Sequence, residues 1–115
     1  MTDHRYKVKE TMKSHESTFD GKPVDVRFSK LNQADYTVIS VLEQGSGNII
    51  ATPSVYLSKA KRAHDEVFLR NVPSGIVEFL ANEDLITIGD QLVETNHNDY
   101  AQVCRLTDKA KELIE

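Results

Sequence analysis

The side chains best suited to chemistry in this 115-residue chain are a compact group of cations, Lys59, Lys61 and Arg62, followed by His64. On a helix, Lys59 and Arg62 would share one face, because residues three apart are neighbours on the helix surface. Such a pair can contact phosphate groups at the edge of a nucleic-acid groove. The two acidic residues that follow leave open the alternative of an ordinary solvated face.

A second group of cations lies near the start of the chain, at Arg5, Lys7, Lys9 and Lys13. Basic arms of this kind reach into the minor groove of DNA in other proteins. The alternative is a solubilising tail, because acidic residues in the same stretch dilute the positive field.

Only the first part of the chain has a positive net charge. Residues 1–30 hold seven Lys and Arg against five Asp and Glu, a net of +2, whereas residues 31–115 hold seven against thirteen, a net of −6. A body with this negative charge does not attract phosphate non-specifically, so any contact with nucleic acid requires a local basic patch.

The sequence predicts no metal, cofactor or catalytic site. The histidines are dispersed and have no spacing typical of a zinc site; they are His4, His15, His64 and His97. The lone Cys104 is interpreted as a small buried hydrophobe on a strand. The pair Gly45 and Gly47 marks the end of an element, since it lacks the pattern of a phosphate-binding loop. We therefore predict that the protein is not an enzyme.

Composition predicts one ordinary domain. The chain is 39% hydrophobic and 28% charged, and its single cysteine excludes an intrachain disulfide. No run approaches the roughly 18 apolar residues of a membrane span, and the first residues do not have the pattern of a signal peptide. We expect a cytoplasmic protein with a polar, partly ordered arm over residues 1–22 and a single domain over residues 23–115.

The first half of that domain is predicted to mix one strand with helices. Alternation of Val24, Val26 and Phe28 with charged residues indicates a short half-buried strand. An apolar stripe at helical spacing favours a helix over residues 31–44. The competing interpretation is a strand, because the run TVISV is β-branched. A short strand is expected at residues 48–51.

The second half is predicted to contain two helices, a hairpin and a closing helix. Thr52 and Pro53 suit the start of a helix over residues 53–70. A third helix follows over residues 72–84, then a two-stranded hairpin at 86–106. Thr107 is expected to cap a short helix that extends to residue 114.

This order of elements, with the runs VEFLANEDLI and CRLTDKA, resembles the winged-helix family over about residues 31–114. The resemblance implies an α+β, winged helix-turn-helix-like fold: three helices, a C-terminal β-hairpin wing and a short closing helix. It also implies a small regulator of transcription that binds duplex DNA, for which useful specificity would require a homodimer.

The implied DNA contacts would come from the second helix, the start of the third helix and the wing. The residues are Lys59, Lys61, Arg62, Arg70, Asn71, Ser74, Asn96, His97 and Asn98.

The alternative function is a protein-interaction module on the same scaffold. The third helix, over residues 74–84, carries Glu78, Glu83 and Asp84 and no Lys or Arg. A helix without cations lacks the commonest contacts to base edges. The same helix would suit a basic protein partner, particularly if Phe79 is exposed beside the acids.

Overall fold

A computed structural model describes residues 13–31, 36–57, 62–95 and 98–114 of the chain. Strands account for 53% of the described residues and helices for 12%, so the protein is mainly β. In chain order the elements are β1 (His15–Phe19), β2 (Lys22–Leu31), β3 (Tyr36–Glu43), β4 (Ile49–Ala51), β5 (Ser54–Val55), β6 (Glu66–Leu69), α1 (Ile76–Asn82), β7 (Ile86–Glu94), β8 (Tyr100–Leu106) and α2 (Asp108–Lys111).

The first sheet is an antiparallel meander in the order β1-β2-β3-β4. Val24, Val26 and Phe28 of β2 are buried on one face, and β3 contributes Val41 and Ile39 opposite them. The alternating residues of β2 point to the other face, because successive side chains of a strand point to opposite sides. The alternation seen in the sequence therefore corresponds to a core-facing strand.

The second sheet is also antiparallel, in the order β5-β6-β8-β7. It has apolar side chains on both faces. Val67 and Leu69 of β6 belong to the main core, whereas Phe68 packs with Ala101 and Val103 in a smaller cluster on the opposite face. Burial on both faces explains why the run from Glu66 to Leu69 has no hydrophobic alternation.

Helix α1 joins both sheets in one core. Its residues Ile76, Val77, Phe79 and Leu80 are buried in the cluster to which both sheets contribute. The Phe79 ring meets the Phe19 ring edge-on, with centroids 5.1 Å apart. Neither described helix is long and apolar enough to cross a membrane.

The predicted winged-helix architecture is wrong. Residues predicted as a first helix include β3, and residues predicted as a second helix include β5 and β6. In β3, β-branched residues such as Ile39 and Val41 favour an extended chain, and cross-strand pairing with β2 overrides the helical spacing. Around β5, pairing of Ser54 with Leu69 and of Val55 with Phe68 excludes a continuous helix.

Several local predictions are confirmed. The strand at Val24–Phe28 lies within β2, and the short strand expected near residue 49 is β4. The C-terminal hairpin is β7 and β8, and part of the third helix is α1. Thr107 caps α2, because its side chain accepts a hydrogen bond from the backbone N–H of Ala110 at 3.2 Å.

Candidate functional site

The β7–β8 hairpin places three apolar residues on one face of the second sheet. In its register Ile88 pairs with Cys104, Leu92 with Gln102 and Glu94 with Tyr100. Paired residues of an antiparallel sheet point to the same side, as do alternate residues of one strand. Ile88, Leu92 and Tyr100 therefore share the face that, nearer to α2, packs into the main core.

These three side chains are exposed, although other residues on the same face of the sheet are buried in the main core. Ile88 is 37% exposed, Leu92 61% and Tyr100 63%. Leu92 and Tyr100 are diagonal neighbours across the two strands, a separation of roughly 7 Å between Cα atoms. We call Ile88, Leu92 and Tyr100 the hairpin patch. Among the described residues, it holds half of the large hydrophobic side chains with high exposure.

A bulge in β7 separates Ile88 from Leu92. Three β7 residues, 89–91, lie opposite the single β8 residue Val103. The Gly89 backbone approaches so closely that a Cβ there would lie 2.4 Å from the Val103 carbonyl oxygen. The Gln102 side-chain amide donates a hydrogen bond to the Gly89 carbonyl oxygen at 2.8 Å. A residue without a side chain is therefore required at this point of the strand.

Cys104 lies beneath the bulge and is almost completely buried. Burial raises the pKa of its thiol to about 11, although a hydrogen bond with the Gly89 backbone acts in the opposite direction. The thiolate is the reactive form of cysteine, so burial and the raised pKa disfavour that form near neutral pH. The interpretation of Cys104 as a small buried hydrophobe is confirmed.

The β7 strand and the loop that follows it carry acidic residues and no Lys or Arg. Residues 86–100 contain Asp90, Glu94 and Asp99 and no Lys or Arg. Asp99 forms an ion pair with Arg70, whose Nη2 lies 2.7 Å from the Asp99 carboxylate. Asp90 and Glu94 are exposed and form no ion pair in the described part of the chain. We call Asp90 and Glu94 the acidic rim of the hairpin patch.

The cation on β8, Arg105, lies on the face opposite to Glu94, although it lines a small pocket together with Asp90. Arg105 pairs with Glu66 and lies on the opposite face, where its guanidinium contacts Asp65 at 2.9 Å and Glu66 at 3.3 Å. Burial alone would raise the pKa of the Asp65 carboxyl, but the hydrogen bond and charge of Arg105 outweigh burial and lower it. Arg105 is thus engaged by acids on its own face.

The basic cluster predicted to contact phosphate is only partly described. Lys59 and Lys61 lie outside the described residues. The Arg62 guanidinium donates hydrogen bonds to the carbonyl oxygens of Ala63 and Glu66, at 3.1 and 3.2 Å. Arg62 precedes β6 and Arg70 follows it, so the two cations lie towards opposite ends of that strand.

Arg70 and Ser74, two further predicted DNA contacts, line an open groove of about 830 Å³ with Lys22. Asn71, near them in sequence, has a structural role: its side-chain oxygen accepts hydrogen bonds from the backbone N–H groups of Gly75 and Val77 at 3.1 and 3.0 Å. This side chain orients the start of α1, and its oxygen already accepts two hydrogen bonds.

The remaining predicted contacts are at the hairpin loop. Asn96 and His97 lie outside the described residues, and Asn98 is exposed in the left-handed region with φ of 60°. The helix that was expected to bind a basic partner does not present Phe79 at its surface. Phe79 is buried, and α1 exposes Glu78 instead.

Sequence reasoning assigned the hairpin patch to strands and gave it no role. Gly89 was the available signal, since an isolated glycine within a strand pattern often marks a bulge. An acidic, apolar face beside an unpaired strand edge can accept an added strand from another segment. Comparison of the chain with protein families, with curated proteins and with solved structures finds no match.

Proposed function

We propose that this chain is a protein-interaction module whose hairpin patch binds an extended, basic segment of a partner protein. The observation that carries the proposal is the concentration of exposed apolar side chains, Ile88, Leu92 and Tyr100, on one hairpin face. Contiguous exposed apolar surface commonly marks an interaction site.

The sheet edge supplies the second part of the recognition. Within the described residues β7 is an outer strand, paired on one side by β8 and by no strand on the other. Backbone groups along such an edge can pair with an extended segment, and side-chain pockets then provide specificity. The bulge at residues 89–91 interrupts this pairing, so we expect the contacts to concentrate on either side of it.

The acidic rim selects the charge of the partner. Asp90 and Glu94 would attract a segment that alternates Lys or Arg with apolar residues, and they would repel an acidic one. A second copy of β7 is a poorer partner because its charges have the same sign. The proposal includes a cytoplasmic location, which the single buried thiol of Cys104 supports.

The test is an amide NMR titration of the labelled full chain with defined probes. A short peptide that alternates Lys with Val should shift signals of β7 and β8, and its counterpart with Glu in place of Lys should not. A mixed-sequence DNA duplex is the third probe. Shifts of residues 62, 70–74 and 98 by the duplex, with none by the Lys peptide, would replace this proposal with the DNA-binding function.

Matched variants locate the contact. Leu92→Lys should weaken binding of the Lys peptide about tenfold or more, because it adds a like charge and removes apolar surface. Ile49→Lys introduces the same charge at an equally exposed apolar residue of the other sheet, 65% exposed, and should leave binding nearly unchanged. Equal losses in both variants would indicate attraction to net charge alone and would refute the assignment.

A further inference from the structure

The groove of about 830 Å³ that Arg70 and Lys22 line lies between the two sheets, in front of α1. Its walls come from the β1–β2 turn, from the link between β4 and β5 and from the loop before α1. The groove shares no lining residue with the hairpin patch. Its volume lies within the range of small-molecule sites in proteins, so the chemistry of its walls indicates which molecule would fit.

One part of the groove wall is apolar. The Phe19 ring contributes to it and is fixed by the core, because it packs edge-on against the Phe79 ring with centroids 5.1 Å apart. Val72 contributes a side chain that is 60% exposed. The other apolar residues of the lining are Ile50, Ala51, Pro53 and Pro73. The apolar body of a ligand would therefore bury apolar surface in this part of the groove.

A cation lies at the end of the core-facing side of β2. Lys22 pairs with Phe19 in the register of β1 and β2, so the two side chains lie on the same side of the sheet. Val24, two residues further along β2, is fully buried on that side. Lys22 is exposed and forms no ion pair with the residues that the structure describes. A positive charge therefore lies at the rim of the groove, next to its apolar wall.

Arg70 is the second cation of the groove, and two contacts hold it in place. Its backbone N–H donates a hydrogen bond to the Pro53 carbonyl oxygen at 2.9 Å, and its Nη2 lies 2.7 Å from the Asp99 carboxylate. A guanidinium has five N–H donors. The Arg70 Nε is buried and has no hydrogen-bond partner among the described residues. Asp99 therefore leaves part of the donor capacity of Arg70 unused.

The charges around the groove favour a ligand with one negative charge. Lys22 and Arg70 are opposed in the lining by Asp20, so two cations and one acid give a net charge of +1. Asp99, which pairs with Arg70, lies outside this sum. A carboxylate carries a single charge and matches the planar fork of a guanidinium. A phosphate dianion would meet stronger repulsion from the two acids.

We propose that this groove binds a small molecule that carries one carboxylate on an apolar body. Lys22 and Arg70 bind the carboxylate, and the apolar body packs against Phe19 and Val72. The proposal goes beyond the partner-binding function and does not rest on it, because the two surfaces have different residues.

The test is an amide NMR titration of the labelled full chain with phenylbutyrate. This probe should shift the signals of the β1–β2 turn, the β4–β5 link and the loop before α1, and the shifts should saturate. Phenylbutylamine has the same body with the opposite charge, and acetate has the same charge without the body. Both should bind at least about tenfold more weakly. Absence of these shifts with phenylbutyrate, or equal binding of phenylbutylamine, would overturn the proposal.

The contribution of Lys22 is measured with a matched pair of variants. Lys22→Gln removes the charge and keeps a polar side chain, so it should weaken phenylbutyrate binding about fivefold. Lys30→Gln removes the same charge at the other end of β2, outside the groove, and should leave binding nearly unchanged. Equal losses in the two variants would show that net charge alone attracts the anion and would refute the site.

Asp99→Asn should change the affinity in the opposite direction. The substitution removes the charge that opposes the ligand at Arg70, whereas the amide oxygen can still accept the hydrogen bond from the Thr95 hydroxyl. We expect phenylbutyrate to bind about threefold more tightly. Asp90→Asn makes the same change of charge outside the groove and should leave binding nearly unchanged. An unchanged or lower affinity in Asp99→Asn would contradict the role of Arg70 and overturn the site as proposed.

Two further measurements separate this ligand from other occupants of the groove. Inorganic phosphate and a DNA duplex should each bind the groove more weakly than phenylbutyrate, and tighter binding of either would assign it to phosphate groups. The groove signals should not move when the protein is diluted without a probe, since such movement would assign the groove to a second copy of the chain. Either contrary result would refute the carboxylate proposal.

Discussion

Among the described residues, the two longest edge strands, β1 and β7, differ in how they are protected. β1 and β7 are each the outermost strand of their sheet. β1 is held by a side chain from the end of α1: Glu83 accepts hydrogen bonds from His15 and Ser17. β7 is almost twice as long, with nine residues against five, and it combines the bulge at Gly89 with exposed Leu92.

The difference shows that a strand tied to the core by side-chain hydrogen bonds and a strand protected only by a bulge and acidic residues differ in their accessibility. The Glu83 carboxylate bonds two side chains of β1 and thereby ties that strand to the end of α1. A bulge and acidic residues in β7 discourage pairing with an identical strand but leave polar and apolar groups accessible. An edge of the second kind remains available to a segment of opposite charge, which is the basis of the proposed function.

The largest effect on stability is expected from a substitution that disrupts the bulge of β7. In Gly89→Val the new Cβ would lie 2.4 Å from the Val103 carbonyl oxygen, so the two strands must separate. We expect a loss of about 3 kcal/mol in the free energy of unfolding, measured by urea denaturation. Gln91→Ala, an exposed position of the same bulge, is the control and should change stability by less than about 0.5 kcal/mol. Equal stability of both variants would contradict the close contact.

A smaller effect is expected when β1 is released. Glu83→Gln replaces an ionised acceptor, and at neutral pH it should cost about 1.5 kcal/mol because hydrogen bonds to charged groups are stronger than neutral ones. The Glu83 carboxylate accepts from the His15 ring, which must then be the donor through Nε2. Glu78→Gln, an exposed position on α1, is the control and should be nearly neutral. Both variants are compared by urea denaturation, and equal stabilities would show that Glu83 does not hold β1.

The pH dependence of that difference follows from the pKa of Glu83. Hydrogen bonds from His15 and Ser17 lower the pKa of the Glu83 carboxyl below its ordinary value of 4.5. A depressed pKa in the folded state stabilises the protein above the unfolded pKa, and this contribution is lost as pH falls through the folded value. The stability gap between Glu83→Gln and the unaltered chain should therefore narrow in acid. A gap that is constant from neutral pH into acid would contradict this origin.

The smallest effect on stability is expected at the hairpin patch itself. Leu92→Lys should change the free energy of unfolding by less than about 0.5 kcal/mol, because Leu92 is 61% exposed and contributes little to the core. Thermal unfolding with the Val26→Ala variant as reference provides the scale, since Val26 is fully buried. A large loss for Leu92→Lys would mean that the patch is structural and would weaken its assignment to binding.

Sequence reasoning was most successful where an element depends on nearby residues. The hairpin, the cap at Thr107 and the buried Cys104 were predicted because alternation, capping chemistry and residue type act locally. It failed for β3, where helical spacing of apolar residues coincides with a β-branched run. Only pairing with β2 decides between the two, and a sequence pattern within β3 does not report that pairing.

The candidate site was predictable in part. The hairpin that carries it was expected, and its acidic residues can be read from the sequence. The exposure of Leu92 and Tyr100 was not, because the same face of the sheet is core near Cys104 and solvent near the loop. Where the core ends along a strand depends on which elements cover it, and α1 covers only one part of this sheet.

By itself, the sequence determined the uneven charge, the strand pattern of β2, the hairpin and the α2 cap, because these depend on composition and short-range chemistry. The tertiary structure alone decided that β3 and β6 are strands, that Asn71 supports α1 and that Phe79 is buried. Those outcomes depend on cross-strand pairing and on burial in a shared core. The free energy of such contacts exceeds the small local preferences that a sequence pattern reports.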